Sequence, residues 1–157
     1  MFQKKTSTFA TLFHLQYIII YMNTTDILKS HDIKKTPGRI AIVKALQESE
    51  LPLSENEIKI QMEEMYDRIT FYRNMQVLTS AGIVHKIVVD NTIIKYGLSC
   101  CGQEHRHQNE HAHFYCEKCH SVVCLKEVRI PDYQLPSGYK LFDSDIIIKG
   151  ACEKCSH

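Results

Sequence analysis

Between residues 23 and 82 the apolar positions fall at the three- and four-residue spacing of helices, and beyond residue 82 they shift to the alternation of strands. Ile40, Val43 and Leu46 follow Thr36-Pro37, where a threonine N-cap precedes a proline at the first helical position. Ser54-Glu55-Asn56-Glu57 is a capping box ahead of Ile58, Met62 and Met65, which helical spacing sets on one face. Asp67 caps a third helix and Gly82 stops it. The next stretch, "IVHKIVVDNTIIKYGL", is β-branched and folds about Asp90-Asn91, read as a two-residue hairpin turn. Three short helices followed by a hairpin predict a winged helix-turn-helix.

The pattern then breaks. "SCCGQEHRHQNE", residues 99–110, is polar and aperiodic and reads as a connector. Three strand-like segments follow, "HAHFYC", "SVVCL" and "DIIIKGAC", with Pro131, Pro136 and Gly138 punctuating the ground between them. The expected class is therefore α+β. Its divisions are an extension over 1–21, a winged-helix unit over 22–98, a hinge over 99–110 and a second, small α/β unit over 111–157. That last unit carries few large apolar side chains and is marginal as an isolated core, so it needs a staple or a partner.

The first residues, "MFQKKTSTFATLFHLQYIIIY", imitate a signal peptide, with Lys4 and Lys5 ahead of an apolar run from Phe9 to Tyr21. No small-residue cleavage site follows, and the run carries His14 and Gln16 and is shorter than the roughly 20 residues of a membrane span. We read it as an extension ahead of Met22, with a signal or anchor and an ordered extra helix as alternatives.

A composition of 44% hydrophobic and 24% charged residues over 157 positions is that of a globular protein. Net charge is +1, and residues 22–96 hold ten Lys or Arg against ten Asp or Glu, so affinity for nucleic acid must come from local clustering. Seven cysteines, an odd number with CxxC spacing, fit thiolate–metal chemistry in a reducing compartment, the cytoplasm, better than a disulfide framework.

"CEKC" occurs twice, at Cys116/Cys119 and Cys152/Cys155. Two such knuckles supply the four thiolates of a closed structural Zn2+ site, which contributes on the order of 10 kcal/mol to folding. Cys116, Cys119 and His120 also match a c-type haem attachment pattern. That reading leaves the second pair unexplained and demands export. A second constellation is His111 and His113, whose alternation on a strand sets both imidazoles on one face, with Cys124 on the next strand. Cys101 and His107 in the connector are candidates for a further ligand. A thiolate in such a set favours zinc, with iron an alternative because imidazoles suit it too. A solvated histidine-rich loop is the metal-free alternative. No Ser-His-Asp set, phosphate-binding glycine loop or carboxylate dyad stands out, so no enzyme and no small-molecule substrate are expected.

Three segments in order, "DRITFYRNMQVLTSAGIVHKI" (67–87), "HAHFYCEKC" and "GACEKC", resemble the ferric uptake regulator family over residues 24–155. The resemblance implies a homodimeric, DNA-binding, metal-dependent repressor whose rear domain dimerises and bears the four-cysteine zinc site. It also implies a regulatory Zn2+ or Fe2+ site near the hinge. Tyr72 and Arg73 match the family's Tyr-Arg pair on the recognition helix. Phe71, Met75 and Leu78 would form that helix's inner face, while Arg68, Thr70 and Gln76 look outward. Arg73 and Arg39 suit phosphate contacts and Tyr72 suits a thymine methyl, a core aromatic being its alternative reading.

Departures bear on the second site: Ala112 and Gly97 stand where the family often has acidic residues, Cys124 where many members have a carboxylate, and His120 where glycine is usual. No histidine lies between His120 and His157, so a further carboxylate–histidine site is not expected. These departures favour zinc sensing over iron or peroxide sensing; a cytoplasmic metal-storage or delivery protein is the competing class.

Overall fold

The computed structural model describes residues 23–99, 111–129, 133–141 and 144–157. The N-terminal extension, and Cys101 and His107 of the connector, lie outside them, and of His111 only the backbone is described.

Each of the four helices among the described residues starts on a side chain that accepts a hydrogen bond from a first-turn N–H, one of the four donors a helix start leaves without an intrahelical partner. Asn23 caps α1 (Thr24–Ser30), Thr36 caps α2 (Pro37–Glu48) and Asp67 caps α4 (Arg68–Ser80). Ser54 caps α3 (Glu55–Met62) through a reciprocal box: Glu57 N donates to Ser54 Oγ at 3.3 Å, and Ser54 N donates to Glu57 Oε2 at 2.6 Å. The face expected to run from Ile58 through Met65 stops early. Glu63 takes φ 51° and opens a single 3-10 turn, Glu63–Met65, so Met62 is buried while Met65 is 57% exposed. Gly82, at φ 72°, ends α4 in the left-handed region that glycine tolerates.

Strands β1 (Val84–Val88) and β2 (Ile94–Leu98) form the antiparallel hairpin. Its turn is longer than two residues. Val89 N still donates to Ile93 O at 3.0 Å, and Asp90 Oδ1 accepts from Thr92 N and Ile93 N at 2.8 and 2.9 Å. The aspartate side chain thus stands in for a backbone turn, which a two-residue loop would not allow. Leu53 adds an isolated antiparallel bridge to Tyr96, with N–O distances of 2.9 and 2.7 Å.

The second sheet has the order β4-β3-β5, with β3 His111–Cys116, β4 Val122–Arg129 and β5 Ile147–Gly150. Antiparallel pairing joins β3 to β4, with an irregularity between His111 and Ala112, and parallel pairing joins β3 to β5. Strand β4 outruns the expected "SVVCL", and β5 is shorter than "DIIIKGAC". A 3-10 turn, Glu153–Cys155, closes the chain.

Among the described residues the buried apolar side chains gather in two cores. The larger one gathers Leu28, Ile42, Val43, Ile58, Phe71 and Leu78 with the hairpin's Val84 and Tyr96. The smaller one joins Ile87 and Val89 of the hairpin to Tyr115 and Val122 of the second sheet. The second sheet therefore borrows apolar cover from the wing, which answers part of its shortage.

Phe71 is the hub of the larger core, with ring centroids 5.6 Å from Tyr66, 5.5 Å from Tyr72 and 6.2 Å from Tyr96. Phe71→Ala should cost about 3–5 kcal/mol in urea unfolding. Ile69→Ala, two residues away but 65% exposed, should stay within about 0.5 kcal/mol of the parent.

Candidate metal centres and nucleic-acid face

Parallel pairing decides the first centre. Strands β3 and β5 run in the same direction, with Cys116 opposite Gly150, so the knuckles that follow their carboxyl ends emerge at the same edge of the sheet. Glu117 N donates to Gly150 O at 2.8 Å, Lys118 Nζ to Cys155 O at 2.6 Å, and Cys152 N to Cys116 Sγ at 3.3 Å. All four sulfurs of Cys116, Cys119, Cys152 and Cys155 lie within 4.8 Å of one another, and those of Cys119 and Cys152 are 3.8 Å apart. A tetrahedral zinc ion with Zn–S bonds of about 2.3 Å has sulfur–sulfur edges of about 3.8 Å, so the donor set fits.

The thiols are already unequal. Backbone N–H groups of Cys119 and then Cys152 pull Cys116 down to about 6, and hydrogen bonding from the Ser121 side chain lowers Cys119. Cys155 is pushed up to about 12, chiefly by its hydrogen bonding to the Cys152 sulfur. The site is thus predisposed to thiolate at one end and must shed a proton at the other when it takes a cation.

The second centre lies where the hairpin meets the second sheet. His85 of β1, His113 of β3 and Cys124 of β4 bring one donor atom each to within 4.8 Å of the others. His85 Nε2 is 3.4 Å from His113 Nε2 and 3.6 Å from Cys124 Sγ, and the two rings stack at 29° with centroids 5.4 Å apart. Tetrahedral zinc, with Zn–N of about 2.05 Å and Zn–S of about 2.3 Å, would have edges of about 3.3 Å between nitrogens and about 3.6 Å between nitrogen and sulfur. Both histidines are buried, and Cys124 is half-buried.

Sequence reasoning joined His113 to Cys124, and the register His113↔Cys124 pairs them directly. It missed His85. His85 is buried on β1 beside Ile87, and only the docking of the wing on β3 and β4 reveals what it meets there.

On α4, Arg68, Thr70, Tyr72, Arg73 and Gln76 are all exposed, and Phe71, Asn74, Met75 and Leu78 are buried. Arg39, on α2, is turned back, its Nη1 donating to Lys34 O at 2.9 Å. Glu55, the first residue of α3, organises this surface and was unforeseen. Its carboxylate accepts from Tyr66 Oη and, at 2.5 Å, from Tyr72 Oη, and lies 3.9 Å from Arg68 Nε. Those bonds, from Tyr66 first and Tyr72 second, hold Glu55 below its ordinary value of 4.5, while burial and the bond to Glu55 push Tyr66 up to about 12.

Because Glu55 titrates lower in the folded chain than in the unfolded one, the stability it contributes is complete above about pH 4.5 and is lost as pH falls through the folded value. Tyr66→Phe should move the Glu55 carboxyl titration, followed by NMR, back toward 4.5. The stability gap between parent and variant should close on further acidification. Identical titration in both proteins would remove this hydrogen bond from the account.

Among the described residues no helix is long and apolar enough to cross a membrane. The chain is 28% identical over 137 residues to the ferric uptake regulation protein of Bacillus subtilis (strain 168), spanning 82% of this chain and 89% of that one. Its fold is similar to that of a zinc uptake regulator complexed with zinc and DNA, with TM-score 0.62, 18% identity and coverage of 89% and 93% of the two chains. It is similar too to the Helicobacter pylori ferric uptake regulator, with TM-score 0.53, 18% identity and coverage of 99% and 98%. The model of the ferric uptake regulator family matches residues 30–141. With its helices, hairpin and second sheet in this order, the chain belongs to the ferric uptake regulator family.

Proposed function

We propose that this protein is a homodimeric, metal-dependent DNA-binding repressor that controls genes of zinc or iron homeostasis in the cytoplasm and catalyses no reaction. The observation that carries the reading is the position of the second donor cluster. One donor comes from the wing and two from the sheet behind it, so a cation shared by them would tie its own occupancy to the orientation of the DNA-reading half.

In this reading residues 22–98 read DNA, 111–157 dimerise and 99–110 form the hinge. Cys116, Cys119, Cys152 and Cys155 hold a structural zinc ion. His113 and Cys124, with His85, form the regulatory site, and His111, Cys101 or His107 supplies its remaining ligand. A bound cation supplies Lewis acidity toward these donors and no redox chemistry is required of it. Arg68, Arg73 and Arg39 meet phosphates, and Thr70, Tyr72 and Gln76 face the bases. Arg39 would have to leave the Lys34 carbonyl to do so.

A cation shared by His85, His113 and Cys124 would hold the wing against the second sheet, on which it already packs. One spacing of the two recognition helices in the dimer is then favoured, and only one spacing matches half-sites a helical turn apart. The likeness in fold to a zinc uptake regulator complexed with zinc and DNA supports this reading.

The test starts with a duplex selected from a random library by the zinc-loaded protein. Zinc should raise affinity for it by about 100-fold or more, while Arg73→Glu should abolish binding and leave metal content unchanged. His113→Ala should bind weakly at every metal level. Equal DNA affinity with and without metal would overturn the repressor reading, and no DNA binding at all would favour metal storage or delivery. Independently, Cys152→Ser should purify without the structural zinc and lose the cooperative unfolding of the second sheet, read by elemental analysis and hydrogen exchange.

A further inference from the structure

A carboxylate on a surface that meets DNA opposes binding, because every nearby phosphate repels it. Glu55 is such a carboxylate. It opens α3 and reaches across to Arg68 and Tyr72, two exposed residues of α4. Its oxygens have separate partners. Oε1 accepts from Tyr66 Oη and lies 3.9 Å from Arg68 Nε, while Oε2 accepts from Tyr72 Oη at 2.5 Å. These bonds hold Glu55 below its ordinary value of 4.5, so it is charged at neutral pH.

Tyr72 is held on several sides as a result. Its hydroxyl is bonded to Glu55, the Arg68 guanidinium carbon lies 5.9 Å from its ring centroid, and the buried Phe71 meets it edge-on at 5.5 Å. The ring is 44% exposed, and its polar end already has an acceptor. A tyrosine hydroxyl without that acceptor would donate to a phosphate of any sequence.

We propose, building on the DNA-binding reading above, that Glu55 is a positioning residue that sets the specificity of the nucleic-acid face: by holding the Tyr72 hydroxyl it withholds that donor from phosphates and offers the ring to a thymine methyl.

The physical basis is that phosphate contacts supply nearly all the affinity for random sequence, whereas apolar contact with a base edge carries sequence information. Glu55 weakens the first kind by its charge and by occupying a donor. The second kind survives, because the ring can meet a methyl group with its bond to Glu55 intact. Discrimination then comes from penalising the wrong partner as well as from fitting the right one. Arg68 is not lost to the phosphates, since a guanidinium carries five N–H donors and only Nε faces Glu55.

The experiment uses the zinc-loaded full chain with two duplexes, the one selected from the random library and one of scrambled sequence. Glu55→Gln, which removes the charge and keeps the side chain's shape, should bind the scrambled duplex at least about threefold more tightly. The salt dependence of that binding should steepen by about 0.9 in log–log slope. Affinity for the selected duplex should not rise in step, so the ratio between the two falls. Replacing thymine by uracil in the selected duplex deletes the methyl groups, and should weaken the parent more than it weakens Glu55→Gln. Tyr72→Phe keeps the ring but frees it from Glu55, so it should lose the same methyl discrimination without gaining affinity for scrambled DNA. Unchanged duplex ratio, salt slope and uracil penalty in Glu55→Gln would overturn the role of Glu55 and leave the repressor reading standing, as would an unchanged uracil penalty in Tyr72→Phe. If the parent binds neither duplex, both readings fail together.

Discussion

Parallel pairing of β3 with β5 is the constraint on which the rear half of this protein depends. An antiparallel partner would carry its knuckle to the opposite edge of the sheet, some four residues away. The parallel one delivers Cys152 beside Cys116, where its N–H is 3.3 Å from the sulfur. A short parallel ladder of four residue pairs is weak by itself. A cation held by four thiolates would stabilise the ladder that assembles it, so strand order and ligation support each other. The second sheet's small core, shared with Ile87 and Val89 of the hairpin, explains why both supports are needed.

The hairpin consequently serves two masters. Val84 and Tyr96 pack into the helical core, while Ile87 and Val89 face the second sheet, and His85 reaches the same junction. A strand that contributes to both cores couples them, because a shift of one side chain there is felt on both sides. His120 shows the same economy at the first knuckle. It takes φ 60°, a left-handed conformation that costs a non-glycine residue, but its Nδ1 lies 2.6 Å from Tyr115 Oη and anchors the turn to the strand.

Much of this was legible in the sequence because it is local. Caps announce themselves by residue type, and Thr36, Ser54 and Asp67 each begin the helix that their chemistry requires. The repeated "CEKC" reported convergent sulfurs without revealing the strand direction that makes them converge. What escaped was tertiary or conformational. Met65 left its expected face because the backbone turns at Glu63, a residue with no sequence signal for positive φ. The Asp90 turn lengthened because one carboxylate can satisfy two N–H groups. Glu55 looked like an ordinary first-turn acid and proved to be the acceptor for two tyrosines. His85 was hidden for a different reason: periodicity says which side of a strand a residue occupies, never what lies across from it.

The Leu53 bridge has a mechanical consequence. Leu53 precedes Ser54, the cap of α3, and its two hydrogen bonds to Tyr96, with the 2.6 Å ion pair between Lys95 and Glu57, rivet the front of that helix to the strand that pairs with His85's own. A tug on the hairpin is therefore not absorbed by a slack loop. It travels through a stiff linkage to the base of α3, and from there through the Glu55–Tyr72 contact to the outer surface of the neighbouring helix.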